Sequence, residues 1–75
     1  MARAVSFDAE WDAEAKVWWA SASGGEGITT EADTVEALRE RLCIIVPDYF
    51  EAVGEPEDAF DIVLTVRMTD HVNAA

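Results

Sequence analysis

Three carboxylates, Asp8, Glu10 and Asp12, recur at every second residue near the N-terminus, and Asp61 sits in an alternating run near the C-terminus. Acids on adjacent central strands are one way to hold two divalent ions for phosphodiester hydrolysis, and Asp8 with Asp61 is the pair that such chemistry would use. At two-residue spacing, Asp8, Glu10 and Asp12 share one strand face. They would bind a hard cation weakly there or simply form the wet side of an amphipathic strand. The wet-side reading needs no cation and is adopted. Cys43 is the sole cysteine and His71 the sole histidine, which excludes an all-His/Cys metal site and an internal disulfide. Cys43 lies among Leu42, Ile44 and Ile45, so a small buried hydrophobe is expected, with no histidine near it in sequence to make a nucleophile. His71 falls in a polar tail and is expected to be solvated. Gly24-Gly25-Glu26-Gly27 lacks the lysine and following helix of a phosphate cradle and reads as a turn. There is no D-x-D-x-D-G calcium loop. No catalytic residue, metal or cofactor is therefore expected, and the chain is not read as an enzyme.

The remaining chemistry is aromatic. Trp18 and Trp19 are adjacent within a run, Lys16 to Ser23, rich in strand-forming residues. Adjacent strand residues point to opposite faces, so one tryptophan leaves the core side. If Trp11 and Lys16 pair across a hairpin, Trp18 shares the core face with Val5, Phe7, Ala9 and Ala20. Trp19 and Val17 then join Asp8, Glu10 and Val63 on the other face. A one-residue change in the connection would swap the two tryptophans. An exposed Trp beside acids is an interface signal; the alternative is packing on neighbouring strand residues or the C-terminal tail. Trp18, Trp19, Asp8 and Glu10 are the candidate partner-binding residues.

The elements that position these residues follow from periodicity. Val5, Phe7, Ala9 and Trp11 alternate with polar residues and define a first strand, about 3–11. Asp12 to Ala15 connects it to a second, about 16–23. Gly24 and Gly25 break the pattern, and a short third strand is expected at about 27–31. Asp33 with Glu36 has capping-box spacing, and Thr34 is a second N-cap candidate. Val35, Leu38, Leu42, Ile45, Val46, Tyr49 and Val53 then follow a helical stripe, giving a helix at about 33–53. Pro47 is expected to kink it near Cys43–Pro47 or to divide it in two. Gly54 and Pro56 mark its end. Phe60, Ile62, Leu64, Val66 and Met68 alternate through a last strand, about 59–69. The order β-β-β-α-β implies a two-layer α+β fold. Its four-stranded mixed sheet is expected in order 3-2-1-4, with one helix on one face.

Seventy-five residues suffice for one small unit, 1–75, that buries only about 60% of its unfolded surface. Apolar residues make up 51% of the chain, enough for a core. Sixteen acidic residues against five basic ones leave a net charge of −11. Such a field opposes direct contact with nucleic acid or an anionic membrane and favours a basic protein partner. No run approaches the roughly 20 apolar residues of a membrane span, and Met1 to Phe7, with one arginine and no long apolar stretch, is not expected to be a signal peptide. The lone cysteine suits a reducing cytoplasm.

One stretch is more specific. Trp11-Asp12, Glu14-Ala15, Val17-Trp18, Ala20-Ser21, Gly27-Ile28 and Thr30-Glu31-Ala32-Asp33-Thr34 resemble the small bacterial HicB-like antitoxin family. Leu38, Leu42 and Pro47 continue the match, so the resemblance spans residues 5 to 53. It implies a truncated ribonuclease H-like β-β-β-α-β fold. It also implies a non-enzymatic role, since HicB-type antitoxins mask a small basic RNA-cleaving toxin. The chain departs from the pattern with Glu31-Ala32 where glycine is usual, and it ends soon after the last strand, so no DNA-binding module is expected. The leading expectation is a protein-binding module that masks a small basic, toxin-like partner. The alternative is a homo-oligomeric interaction domain, such as a homodimer, that pairs through exposed faces or edge strands.

Overall fold

The alternating segments pair into one sheet, and the helical stripe lies across one side of it. The computed structural model describes residues 2–74; Met1 and Ala75 of the expected unit lie outside the described residues. The chain runs β1 (Ala2–Asp12), β2 (Val17–Ala22), β3 (Thr29–Ala32), α1 (Val35–Ala52) and β4 (Ala59–Arg67). The four strands form a mixed sheet in the order β3-β2-β1-β4, as expected. β1 pairs antiparallel with β2 and parallel with β4, and β2 pairs antiparallel with β3. The third strand begins at Thr29 rather than Gly27, and the last ends at Arg67 rather than Thr69.

The hairpin register differs from the expected one. Trp11 faces Trp18, Ala9 faces Ala20 and Phe7 faces Ala22, a shift of two residues. The cause is a four-residue connection set one residue later, over Ala13 to Lys16 instead of Asp12 to Ala15. Asp12 Oδ1 accepts the backbone N–H groups of Glu14 (3.0 Å) and Ala15 (3.1 Å), and the Lys16 N–H donates to the Asp12 carbonyl at 2.7 Å. Lys16 closes the loop in the left-handed region, with φ of 57°. Because the shift is even, every side chain keeps its expected face.

The helix starts on Thr34, whose Oγ1 accepts the Ala37 N–H at 3.0 Å. The expected Asp33–Glu36 box does not form, because Glu36 turns outward to Arg39 at 2.9 Å. Pro47 lies inside one continuous helix of 18 residues, not at a break between two. Leu38, Leu42, Val46 and Phe50 are buried on both sides of the proline, and this packing holds the turns together across its missing donor. At the C-terminus the Gly54 N–H reaches the Glu51 carbonyl (3.2 Å), and the Glu55 N–H reaches that of Phe50 (2.8 Å). Gly54, with φ of 79°, makes this reversal without a Cβ penalty.

The core lies between α1 and the sheet. Ala9, Ala20 and Ala32 form a small-residue floor that lets the helix approach closely, while Val5, Phe7 and Ile28 fill the flanks. Phe50 stacks on Phe60 (centroids 5.2 Å apart), and the Arg3 guanidinium lies 4.1 Å from the Phe50 ring while pairing with Glu55 at 3.0 Å. That cluster closes one end of the core.

Replacing Thr34 by Ala is expected to cost about 1 kcal/mol in denaturant unfolding, and Asp33→Ala distinctly less. A larger loss at Asp33 would return the cap to that residue. Ala20→Leu is expected to lose about 1–3 kcal/mol by overpacking the floor beneath the helix, measured in the same way.

Candidate functional site

With α1 on one side, the opposite sheet face is uncovered among the described residues. β1 contributes Ser6, Asp8, Glu10 and Asp12 to it, β2 contributes Val17, Trp19 and Ser21, β3 contributes Thr29 and Glu31, and β4 contributes Asp61, Val63, Thr65 and Arg67. The register aligns these into cross-strand rows. Trp19 faces Glu31 on β3 and Glu10 on β1, and Glu10 faces Arg67 on β4. The next row runs Thr29, Ser21, Asp8, Thr65 by the same pairings. Trp19 therefore stands between two glutamates and is 39% exposed.

A shallow depression flanks the indole on each side. One, of about 240 Å³, is bounded by Asp8, Glu10, Trp19, Ser21, Thr65 and Arg67. The other, of about 420 Å³, is bounded by Trp19, Thr29, Thr30 and Glu31. Arg67 approaches Glu10 at 3.7 Å, but both side chains are well exposed, so the pair is weak and leaves the carboxylate available. An aromatic surface bracketed by carboxylates suits a cationic side chain, which gains the quadrupole of the ring and a charge on either side.

Three of the four candidate residues, Trp19, Asp8 and Glu10, are thus brought together. Trp18 is not. It lies on the helix face, half-buried, 5.5 Å from Trp11. Glu31 belongs to the site but was not a candidate, because its place depends on the β2–β3 register, which no single-strand pattern reveals. Asp8 and Asp61 do not meet. Asp61 lies opposite Ala4 on β1, and the four residues from there to Asp8 span roughly 13 Å at strand rise, too far for a shared metal pair. Among the described residues no three His, Cys, Asp or Glu side chains converge on a metal-sized site.

Cys43 is exposed, not buried as its apolar neighbours suggest. The buried stripe runs through Leu42 and Val46, which turns Cys43 toward a groove of about 270 Å³ between α1 and β4, floored by Phe60, Ile62 and Leu64. His71 is exposed in the tail, 3.1 Å from the Asn73 side chain. Among the described residues no helix is long and apolar enough to cross a membrane.

Over residues 5–73 the chain matches the model of a family described as a domain of unknown function, DUF1902. The chain belongs to the DUF1902 family. A solved hypothetical protein from the extremely thermophilic bacterium Thermus thermophilus is similar to this DUF1902 chain at 32% identity and a TM-score of 0.77. The alignment covers 93% of this chain and 100% of that one. No curated protein matches.

If the open-face residues serve binding and not folding, Trp19→Ala is expected to change unfolding free energy by under about 1 kcal/mol. Phe7→Ala, in the core, is expected to cost about 3–5 kcal/mol. Equal losses in chemical denaturation would make Trp19 a structural residue.

Proposed function

We propose that this DUF1902 chain is a non-enzymatic protein-binding module whose open sheet face receives a basic partner. The observation that carries the reading is the row Glu31–Trp19–Glu10, an exposed indole held between two carboxylates. Trp19 supplies a flat anchor of the kind that dominates binding interfaces, typically worth about 2 kcal/mol or more. Glu10, Glu31 and Asp8 supply charge that orients a lysine or arginine over it. The net charge of −11 steers a cationic partner toward the domain and opposes polyanions. The HicB-like segment supports a finer reading, in which the partner is a small basic, toxin-like protein whose activity the domain masks inside the cytoplasm. The separation of Asp8 from Asp61 argues against a two-metal nuclease on this face.

The test is capture of partners from native lysate with wild-type and Trp19→Ala domains as bait, at low and moderate salt. The wild type is expected to retain a small basic protein that is lost as salt rises. Trp19→Ala is expected to bind it roughly 30-fold more weakly, the equivalent of about 2 kcal/mol. Undiminished binding by Trp19→Ala would remove the open face from the mechanism. Growth arrest on expressing the prey alone, relieved by co-expressing this chain, would establish the antitoxin-like reading, and normal growth would reject it.

A further inference from the structure

β4 is an edge strand that the fold leaves open. Among the described residues it has β1 on one side and nothing on the other, and it is 9 residues long, against 4 for β3 at the opposite edge. Edge strands are ordinarily protected by brevity, by proline, by a bulge or by charged side chains, lysine above all. β4 has no proline, pairs with β1 residue for residue from Ala59 to Arg67, and carries one acid and one base, Asp61 and Arg67. Its helix-side residues Phe60, Ile62 and Leu64 are only half-buried and floor the groove beside α1. Val66 and Met68 on the same side are exposed, as is Val63 on the open face.

The two charges lie symmetrically about Leu64. If a second copy pairs antiparallel along β4 with its two-fold axis at Leu64, Asp61 of each copy faces Arg67 of the other. The same register sets Ile62 against Val66, Leu64 against its own copy, Val63 against Thr65, and Phe60 against Met68 one residue past the strand. Every facing pair lies on a common side of the sheet, as antiparallel pairing requires. An axis at Val63 would set both charged residues against uncharged ones, Asp61 against Thr65 and Arg67 against Ala59. Charge complementarity therefore selects one register and one occupant.

We infer that the chain forms a two-fold homodimer through antiparallel β4–β4 pairing centred on Leu64, making a continuous eight-stranded sheet with both helices on one side. The partner's Val66 and Met68 then extend the apolar floor of the groove, and the open-face Trp19 of each copy stays free. The dimer is independent of what binds at Trp19.

The test is sedimentation velocity and light scattering of the full chain across a wide concentration range. Moderate salt is used to screen the repulsion between two chains of −11 each. The wild type is expected to reach twice the 8.2 kDa chain mass. Asp61→Arg and Arg67→Asp each turn two attractive pairs into repulsive ones and are expected to weaken dimerisation roughly tenfold. The double variant Asp61→Arg/Arg67→Asp is expected to restore it to about wild-type strength. Glu10→Gln, which removes the partner of Arg67 within one chain, is expected to leave the dimer unchanged, as is Trp19→Ala. Circular dichroism confirms that each variant is folded. A wild type that stays monomeric throughout would overturn the proposal. So would single reversals without effect, or a double variant no stronger than the singles.

Discussion

Close approach of one helix to one sheet face is the constraint on which the rest of this structure depends. Ala9, Ala20 and Ala32 provide a floor without bulk, and Leu38, Leu42, Val46 and Phe50 descend onto it from α1. Among the described residues α1 is the one helix, so the sheet has one covered and one uncovered side. The uncovered side must stay hydrated, which explains its carboxylates, hydroxyls and lone arginine. Against that background Trp19 is the one aromatic side chain on the uncovered side among the described residues. Its neighbour Trp18 helps shield the helix side with Trp11, while Trp19 adds nothing to the core.

The parts legible from sequence were those set by parity and by punctuation. Alternation in β1 and β4 fixed which residues share a side, and the order of elements fixed the sheet arrangement. The hairpin register lies two residues from the one alternation suggests, because the Asp12 side chain builds a turn through Lys16, a left-handed residue with no glycine or asparagine to announce it. The even error preserved the faces, so Trp19, Asp8 and Glu10 were placed together correctly. The helix was harder to phase. Residues Leu42 to Val46 are apolar on every side of the turn, so nothing local showed that Cys43 and Ile44 point outward. Phe50 was missed for the same reason, since Tyr49 and Val53 fit an adjacent stripe. Glu31 needed the β2–β3 pairing, which is information held between strands.

The open face and the β4 edge make separate demands on a partner. The first offers an aromatic surface with negative charge and suits a cation-bearing protein. The second offers backbone donors and acceptors with balanced charge and suits an identical strand. Both can be occupied at once, because Glu31, Trp19 and Glu10 lie on β3, β2 and β1, and only Arg67 at the end of their row belongs to the β4 edge. A dimer of this kind would present two Trp19 sites on one extended surface, so a two-fold partner assembly could engage both and gain avidity. The similarity to the solved Thermus thermophilus protein supports the fold. The proposed binding chemistry rests on this chain's own residues.

The proposed recognition of cationic side chains by the Glu31–Trp19–Glu10 row depends on its geometry and not on bulk charge. Nuclear magnetic resonance of the isotope-labelled chain, titrated with a short oligoarginine peptide, tests this most directly. Saturable shifts are expected for the Trp19 indole N–H and the backbone amides of Glu10, Trp19 and Glu31, largely abolished by Trp19→Ala at unchanged net charge. Shifts spread equally over the acidic helix surface at Glu40, Asp48 and Glu51, and persisting in Trp19→Ala, would contradict it.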